Sequence, residues 1–155
     1  EFAAIYEILH YCRLIQFRVY QTDLFCEWMQ MSRDQIADLR QRLIRAVGDP
    51  ERRFAEDHLR MLRAVRFAAA LDFTIEPATR QAIAVHAPRI AAISAERVCA
   101  ELSAVLAGPR PGRGLRLLLA TGVLATLLPE VAALEGVQQP PEYHPEGDVW
   151  THTVR

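Results

Sequence analysis

The sequence predicts a mainly α-helical fold: a curved bundle of four to six short helices, with short strands expected before residue 50. Three observations carry that prediction. Apolar residues recur at helical spacing through the longest patterned stretch, where Phe54, Met61, Leu62, Val65, Ala68 and Ala69 fall on one side of a helix. Proline follows a capping residue in Asp49-Pro50, a position where the missing N–H does no harm, and Glu76-Pro77 opens another helix. Turn signals then cut the apolar pattern at short intervals, at Gly108-Pro109-Arg110-Pro111-Gly112, Thr121-Gly122 and Pro129.

In chain order, residues 1–35 follow no clear period, although Leu14-Ile15-Gln16-Phe17-Arg18-Val19-Tyr20 alternates like a strand. Ile36-Ala37-Asp38-Leu39 reads as a helical turn and Leu43-Ile44-Arg45-Ala46-Val47 as a short strand, closed by Gly48-Asp49-Pro50. One long helix is expected from about Pro50 to Leu71. Opposite its apolar side, Glu56, Arg60, Arg63 and Phe67 form a stripe, and Asp57 sits at i,i+3 from Arg60 so that their heads can lie together. A second helix opens at Glu76-Pro77 and ends near Ala87-Pro88. Ser94 caps a third, with Val98, Leu102, Val105 and Leu106 as its packed face. Leu115–Leu119 and Val123–Leu128 give two short helices. Residues 136–147, with Pro140, Pro141 and Pro145, read as a linker, and residues 148–155 begin another element.

A chain of 155 residues, 51% apolar, is long enough to bury one core. The net charge of -1 advertises no partner, but its distribution is uneven: Asp38 to Arg116 holds 14 arginines against 9 acidic residues. That local excess suits a polyanion. All 18 basic residues are arginine, which a GC-rich genome explains as well as phosphate recognition does. Cys12, Cys26 and Cys99 are scattered and suggest neither a disulfide framework nor a zinc site. No apolar run reaches the roughly 18 residues of a membrane span. With no recognisable signal peptide, the cytoplasm is the default location.

The run Glu56-Asp57-His58-Leu59-Arg60-Met61-Leu62-Arg63-Ala64-Val65-Arg66-Phe67-Ala68 resembles the class II tRNA nucleotidyltransferase and bacterial poly(A) polymerase family. Further matches lie at Ile44–Pro50, Phe73–Pro77, Ile93–Arg97 and Gly122–Glu130. The resemblance implies a helical neck and body over residues 50–135 that binds nucleotide and RNA, with 36–49 closing a head-like region. It implies that Asp57 and Arg60 meet the base edge, that Glu56 buttresses Arg60, and that Arg63 and Arg66 face the ribose and triphosphate or an adjacent wall of the pocket. CTP and ATP would be the substrates, the 3′ end of tRNA or another RNA the acceptor, and Mg2+ the cofactor of the intact parent.

The chemistry suits those residue types. Cytosine and adenine both show an amino donor beside a ring-nitrogen acceptor, which a carboxylate and a guanidinium can satisfy. Uracil and guanine show a carbonyl and a ring N–H there, so the same pair would face them with matching polarity. Each polar group left unpaired costs roughly 1–3 kcal/mol, or about tenfold to a few hundredfold in discrimination.

On the bland reading, the carboxylate–arginine pairs are solvated salt bridges on a helix face. His58 is expected as a packed core histidine and Phe67 as a core or interdomain contact. Arg52, Arg53, Arg89 and Arg97 are weak candidates for RNA phosphates.

The family's phosphate-gripping glycine loop and its metal-binding Asp-x-Asp pair have no match in residues 1–35, where Glu1, Glu7, Asp23, Glu27 and Asp34 stand apart. The chain is therefore expected to be a piece of a longer protein, inactive alone, with residues 1–35 unlike the family head. At the other end, His144 to Thr153 resembles the opening of an HD-type phosphohydrolase domain, with His152 in the place of its first metal ligand. An inert surface histidine is the favoured reading there. A helical RNA-binding adaptor without enzymatic function is the main alternative, and a metal-dependent phosphohydrolase a third.

Overall fold

A computed structural model describes residues 33–140, 142 and 147–155 of the chain. The strand expected at 14–20 lies outside them. Among the described residues there are nine α-helices and one two-stranded sheet. Helix α1 spans Arg33–Arg40 and strand β1 Leu43–Ile44; α2 spans Pro50–Glu56, α3 Leu59–Leu71 and β2 Thr74–Ile75. Helix α4 covers Pro77–His86, followed by a 3-10 turn at Ala87–Ala92; α5 covers Ala95–Leu106, α6 Pro111–Ala120 and α7 Val123–Leu127. Two short helices complete the order, α8 at Pro129–Ala132 and α9 at Val149–Thr153. None is long and apolar enough to cross a membrane.

The mainly α architecture is the one the sequence predicts, with corrections to its parts. The long helix from Pro50 to Leu71 is broken in two. Asp49 caps α2 as expected, accepting from Glu51 N at 3.0 Å, but Asp57 is extended, at φ -153 and ψ 102. Its Oδ1 accepts the N–H of Leu59 at 3.1 Å. A short carboxylate side chain that bonds the backbone two residues on offers the chain an alternative to the helical ladder, and here it ends one helix and starts the next.

The strand read at Leu43–Val47 is confined to Leu43–Ile44, which pairs in parallel with Thr74–Ile75 in the register Leu43↔Thr74 and Ile44↔Ile75. Beyond Ile44 the ladder is replaced by a side chain: Ala46 N donates to Thr79 Oγ1 at 3.1 Å. On α5 the packed face is Val98, Leu102 and Val105, while Leu106 is 47% exposed. At about 100° per residue Leu106 lies roughly 80° from Val98, past the edge of that stripe.

Helix α3 occupies the centre and packs on α5 and α6. Met61, Leu62, Val65 and Ala68 are fully buried, alongside Ile83, Ile90, Leu118, Val123 and Leu124 from the surrounding elements. Its C-terminus turns through Asp72, in the left-handed region at φ 59. The freed carbonyl of Ala70 is met by Arg110 at 2.9 Å, and Arg113 donates to Phe73 O just beyond the helix at 2.8 Å.

Residues 148–155 pack into this same core through Trp150 and Val154. The ends of the intervening loop are tied together, with Val149 N on Val137 O at 2.9 Å and Gly136 N on Asp148 Oδ2 at 2.8 Å.

One cap gives a pH-dependent prediction. Glu76 accepts from Ala78 N at 3.0 Å, Thr79 N at 2.7 Å and Thr79 Oγ1 at 2.8 Å. Burial raises its carboxyl pKa, but the N–H groups of Thr79 and Ala78, the Thr79 hydroxyl and Arg45 outweigh it and hold the group below its ordinary value. A depressed folded-state pKa gives stability that is complete above the unfolded value and lost as pH falls through the folded one. Glu76→Gln is expected to lower stability by about 1 kcal/mol at pH 7 and by less at pH 3. Thermal melts of both proteins at the two pH values check this.

Candidate functional site

The break between α2 and α3 gathers the charged residues singled out in the sequence. Glu56 Oε2 accepts from Arg60 Nη1 at 2.7 Å and from Arg53 Nη1 at 2.9 Å. Arg60 Nη1 also reaches the Arg53 carbonyl at 2.9 Å. The Arg60 hydrogen bond is the chief cause holding the Glu56 carboxyl below its ordinary pKa, with Arg53 and Arg52 adding to it. The expected i,i+4 contact between Glu56 and Arg60 is therefore present.

Asp57 and Arg60 do not form an ion pair with each other. The i,i+3 backbone relation survives the break, with Arg60 N on Asp57 O at 3.1 Å, but the two side chains take different partners. Asp57 instead faces α5, where Arg97 Nη2 lies 3.3 Å from its Oδ2 and 3.4 Å from its Oδ1. One turn further along α5, Glu101 accepts from Arg63 Nε at 2.9 Å and Arg66 Nε at 2.7 Å. Glu101 is only 12% exposed. The Arg66 guanidinium also lies over the Phe67 ring, 4.5 Å from its centroid. In this corner five arginines (53, 60, 63, 66, 97) stand against three carboxylates (56, 57, 101), leaving two positive charges in excess.

An open groove of about 200 Å³ runs beside the corner. Arg53, Arg60, Arg63 and Phe67 line it from α2 and α3, Arg45, Ala46 and Val47 from the segment after β1, and Ile44, Phe54, Ala64 and Thr79 complete its lining. Val47 is 64% exposed. A groove with an apolar lining and guanidinium groups on its wall can take a flat heterocycle and hold its polar edge. Of the Arg60 guanidinium, only Nη1 hydrogen-bonds to another described residue.

The remaining candidates are dispersed. Arg52 and Arg89 are exposed, on α2 and the 3-10 turn. Arg97, expected as a phosphate contact, is engaged with Asp57. His58 is packed, stacking on His86 with ring centroids 6.0 Å apart, and His86 Nε2 lies 2.6 Å from Glu51 Oε2. Phe67 is half-buried at the groove. His152 is exposed on α9, and no cluster of three or more His, Cys, Asp or Glu able to hold a metal occurs among the described residues. The sequence reading missed Glu101. Its i,i+4 spacing from Arg97 puts both on one face of α5, but only the fold shows that this face meets α3.

Residues 72–134 match the family model described as the probable RNA and SrmB-binding site of polymerase A. The chain is 53% identical over 90 residues to a CCA-adding enzyme of Levilactobacillus brevis, covering 58% of this chain and 23% of that protein. It is 43% identical over 124 residues to the multifunctional CCA protein of Pasteurella multocida, covering 77% and 29% respectively. Among solved structures, the Bacillus stearothermophilus CCA-adding enzyme in complex with CTP matches with a TM-score of 0.62 at 45% identity, over 64% of this chain and 26% of that one. The chain thus spans about a quarter of the length of the relatives it matches.

Proposed function

We propose that this chain, which is similar to CCA-adding enzymes over the segment it shares with them, is the base-selecting and RNA-binding portion of such a tRNA nucleotidyltransferase. Its parent extends tRNA 3′ ends with CMP and AMP taken from CTP and ATP. The observation that carries this reading is the α2–α3 corner. An acceptor, Asp57, and a donor, Arg60, stand three residues apart, each held by a different counter-charge, with Arg60 lining an open groove.

In this reading Arg60 donates to the ring nitrogen of the incoming base and Asp57 accepts from its amino group. Glu56 keeps the Arg60 guanidinium at one end of its range, so less side-chain freedom is lost on binding. Arg63 and Arg66, set side by side by Glu101, serve the ribose and phosphate oxygens. Arg52, Arg53 and Arg89 serve the RNA backbone, where contacts add affinity without sequence preference.

Transfer itself needs magnesium, which activates the attacking hydroxyl and stabilises the leaving group when bound. The described residues do not fit such a site. The metal belongs to a catalytic head supplied by the rest of the parent protein. Residues 148–155 are read as the start of an HD-type region. The parent works in the cytoplasm.

The test is an exchange. Residues 36–134 replace the corresponding segment of the Bacillus stearothermophilus enzyme, and transfer to tRNA is measured with each nucleoside triphosphate. The chimaera is expected to add CMP and AMP at least about tenfold more efficiently than UMP and GMP, and this chain alone to transfer none. A chimaera that is inactive, or that uses all four equally, contradicts the reading.

A further inference from the structure

We propose that Arg97 is a specificity-determining positioning residue, which keeps the acceptor Asp57 from being neutralised by the donor Arg60. The inference rests on the base-selecting role proposed above and goes beyond it, because Arg97 lies on another helix, 40 residues along the chain.

A carboxylate three residues from a guanidinium has an obvious alternative to reading a base: pairing with it. Charge-assisted contacts of that kind are the stronger hydrogen bonds in proteins, and a closed Asp57–Arg60 pair would use up the acceptor and the donor that a nucleobase needs. The structure avoids this on both sides. Arg60 is drawn to Glu56 at 2.7 Å and to the Arg53 carbonyl at 2.9 Å. Asp57 is drawn the other way, by Leu59 N at 3.1 Å and by Arg97 Nη2 at 3.3 and 3.4 Å. A carboxylate has about four lone-pair positions, so Asp57 keeps acceptor capacity after these contacts. Arg60 keeps N–H groups in the same way.

Arg97 is the element of this arrangement that comes from outside the α2–α3 corner. Its pairing with Asp57 is partly exposed, 53% for Arg97 and 27% for Asp57. Exposed pairs of this kind contribute little to stability, so the chain folds without it. What it supplies is direction. With Arg97 removed, Arg60 is the cation placed to take the Asp57 carboxylate, and base discrimination falls although every residue of the template is still present.

The experiment uses the chimaera with Arg97→Ala and Arg97→Lys, and reads kcat/KM for CTP, ATP, UTP and GTP together with KM for tRNA and the melting temperature. Arg97→Ala is expected to reduce the ratio of CTP and ATP use over UTP and GTP use by about tenfold, with an unchanged melting temperature. Arg97→Lys should recover part of the ratio, since a point charge can replace one end of the contact. If Arg97→Ala instead raises KM for tRNA while the ratio stays fixed, Arg97 is an RNA-phosphate contact and the proposal is overturned. A lowered melting temperature with an unaltered ratio overturns it equally, as a purely structural pairing. A ratio near one in the unsubstituted chimaera would fail the base-selection reading itself, which separates the two claims.

Discussion

Substituting Gly114 by Val should destabilise this protein by about 3 kcal/mol, because three helices meet where the glycine has no side chain. A Cβ built at Gly114 on α6 would lie 2.3 Å from Val105 Cγ1 on α5 and 3.5 Å from Ala69 Cβ on α3. Alanine in place of glycine would gain about 1 kcal/mol of helix propensity, but a contact that short forces one helix to move. Val105 cannot yield cheaply, since it is buried and its β-branched side chain has few χ1 alternatives. Valine adds two further methyl groups to the same space. For a chain of this size the loss corresponds to a fall of about 10 °C in melting temperature. Pairing Gly114→Ala with Val105→Ala removes the obstructing methyl group, so the double variant should be more stable than the sum of the two single losses implies. Simple additivity would show that the helices do not rely on this close approach. The contact matters to the site because it sets how near α5 lies to α3, and with it whether Arg97 and Glu101 reach across.

The sequence made the helical character legible because Phe54, Met61, Leu62, Val65 and Ala68 keep one apolar stripe even where the helix is interrupted. That same continuity hid the break at Asp57. Periodicity reports which face is buried, whereas the break is made by a local bond from a carboxylate to Leu59 N. Strand β2 was equally hidden: two residues, Thr74 and Ile75, carry no period of their own and become a strand only because Leu43 and Ile44 lie alongside. The α2–α3 residues were recognisable as a group, and Glu56 on Arg60 follows from i,i+4 spacing alone. The partners on α5 were not. Arg97 and Glu101 reach Asp57, Arg63 and Arg66 across 35 to 40 residues of chain, and no pattern in a single sequence records which helix faces will meet.

The largest functional effect is expected from the acceptor and donor themselves. Asp57→Ala with Arg60→Ala in the chimaera should lower kcat/KM for CTP and ATP by about 100-fold, since two polar edges of the base lose their partners at once. UTP and GTP use should fall far less, because those bases met the pair with unfavourable polarity to begin with. Neither residue is part of the buried core, so the folded state should survive and the loss should lie in selection. A module that only binds RNA would respond differently, with all four nucleotides weakened together and a smaller dependence of RNA affinity on salt.

The deciding measurement is a competition in which the chimaera and its Asp57→Ala, Arg60→Ala form extend the same tRNA from an equimolar mixture of the four nucleoside triphosphates, and the added nucleotides are counted. The expected result is a product of C and A for the unsubstituted protein and a mixture approaching equal use of all four for the double variant. If the double variant still adds only C and A, at whatever rate, the corner between α2 and α3 does not read the base.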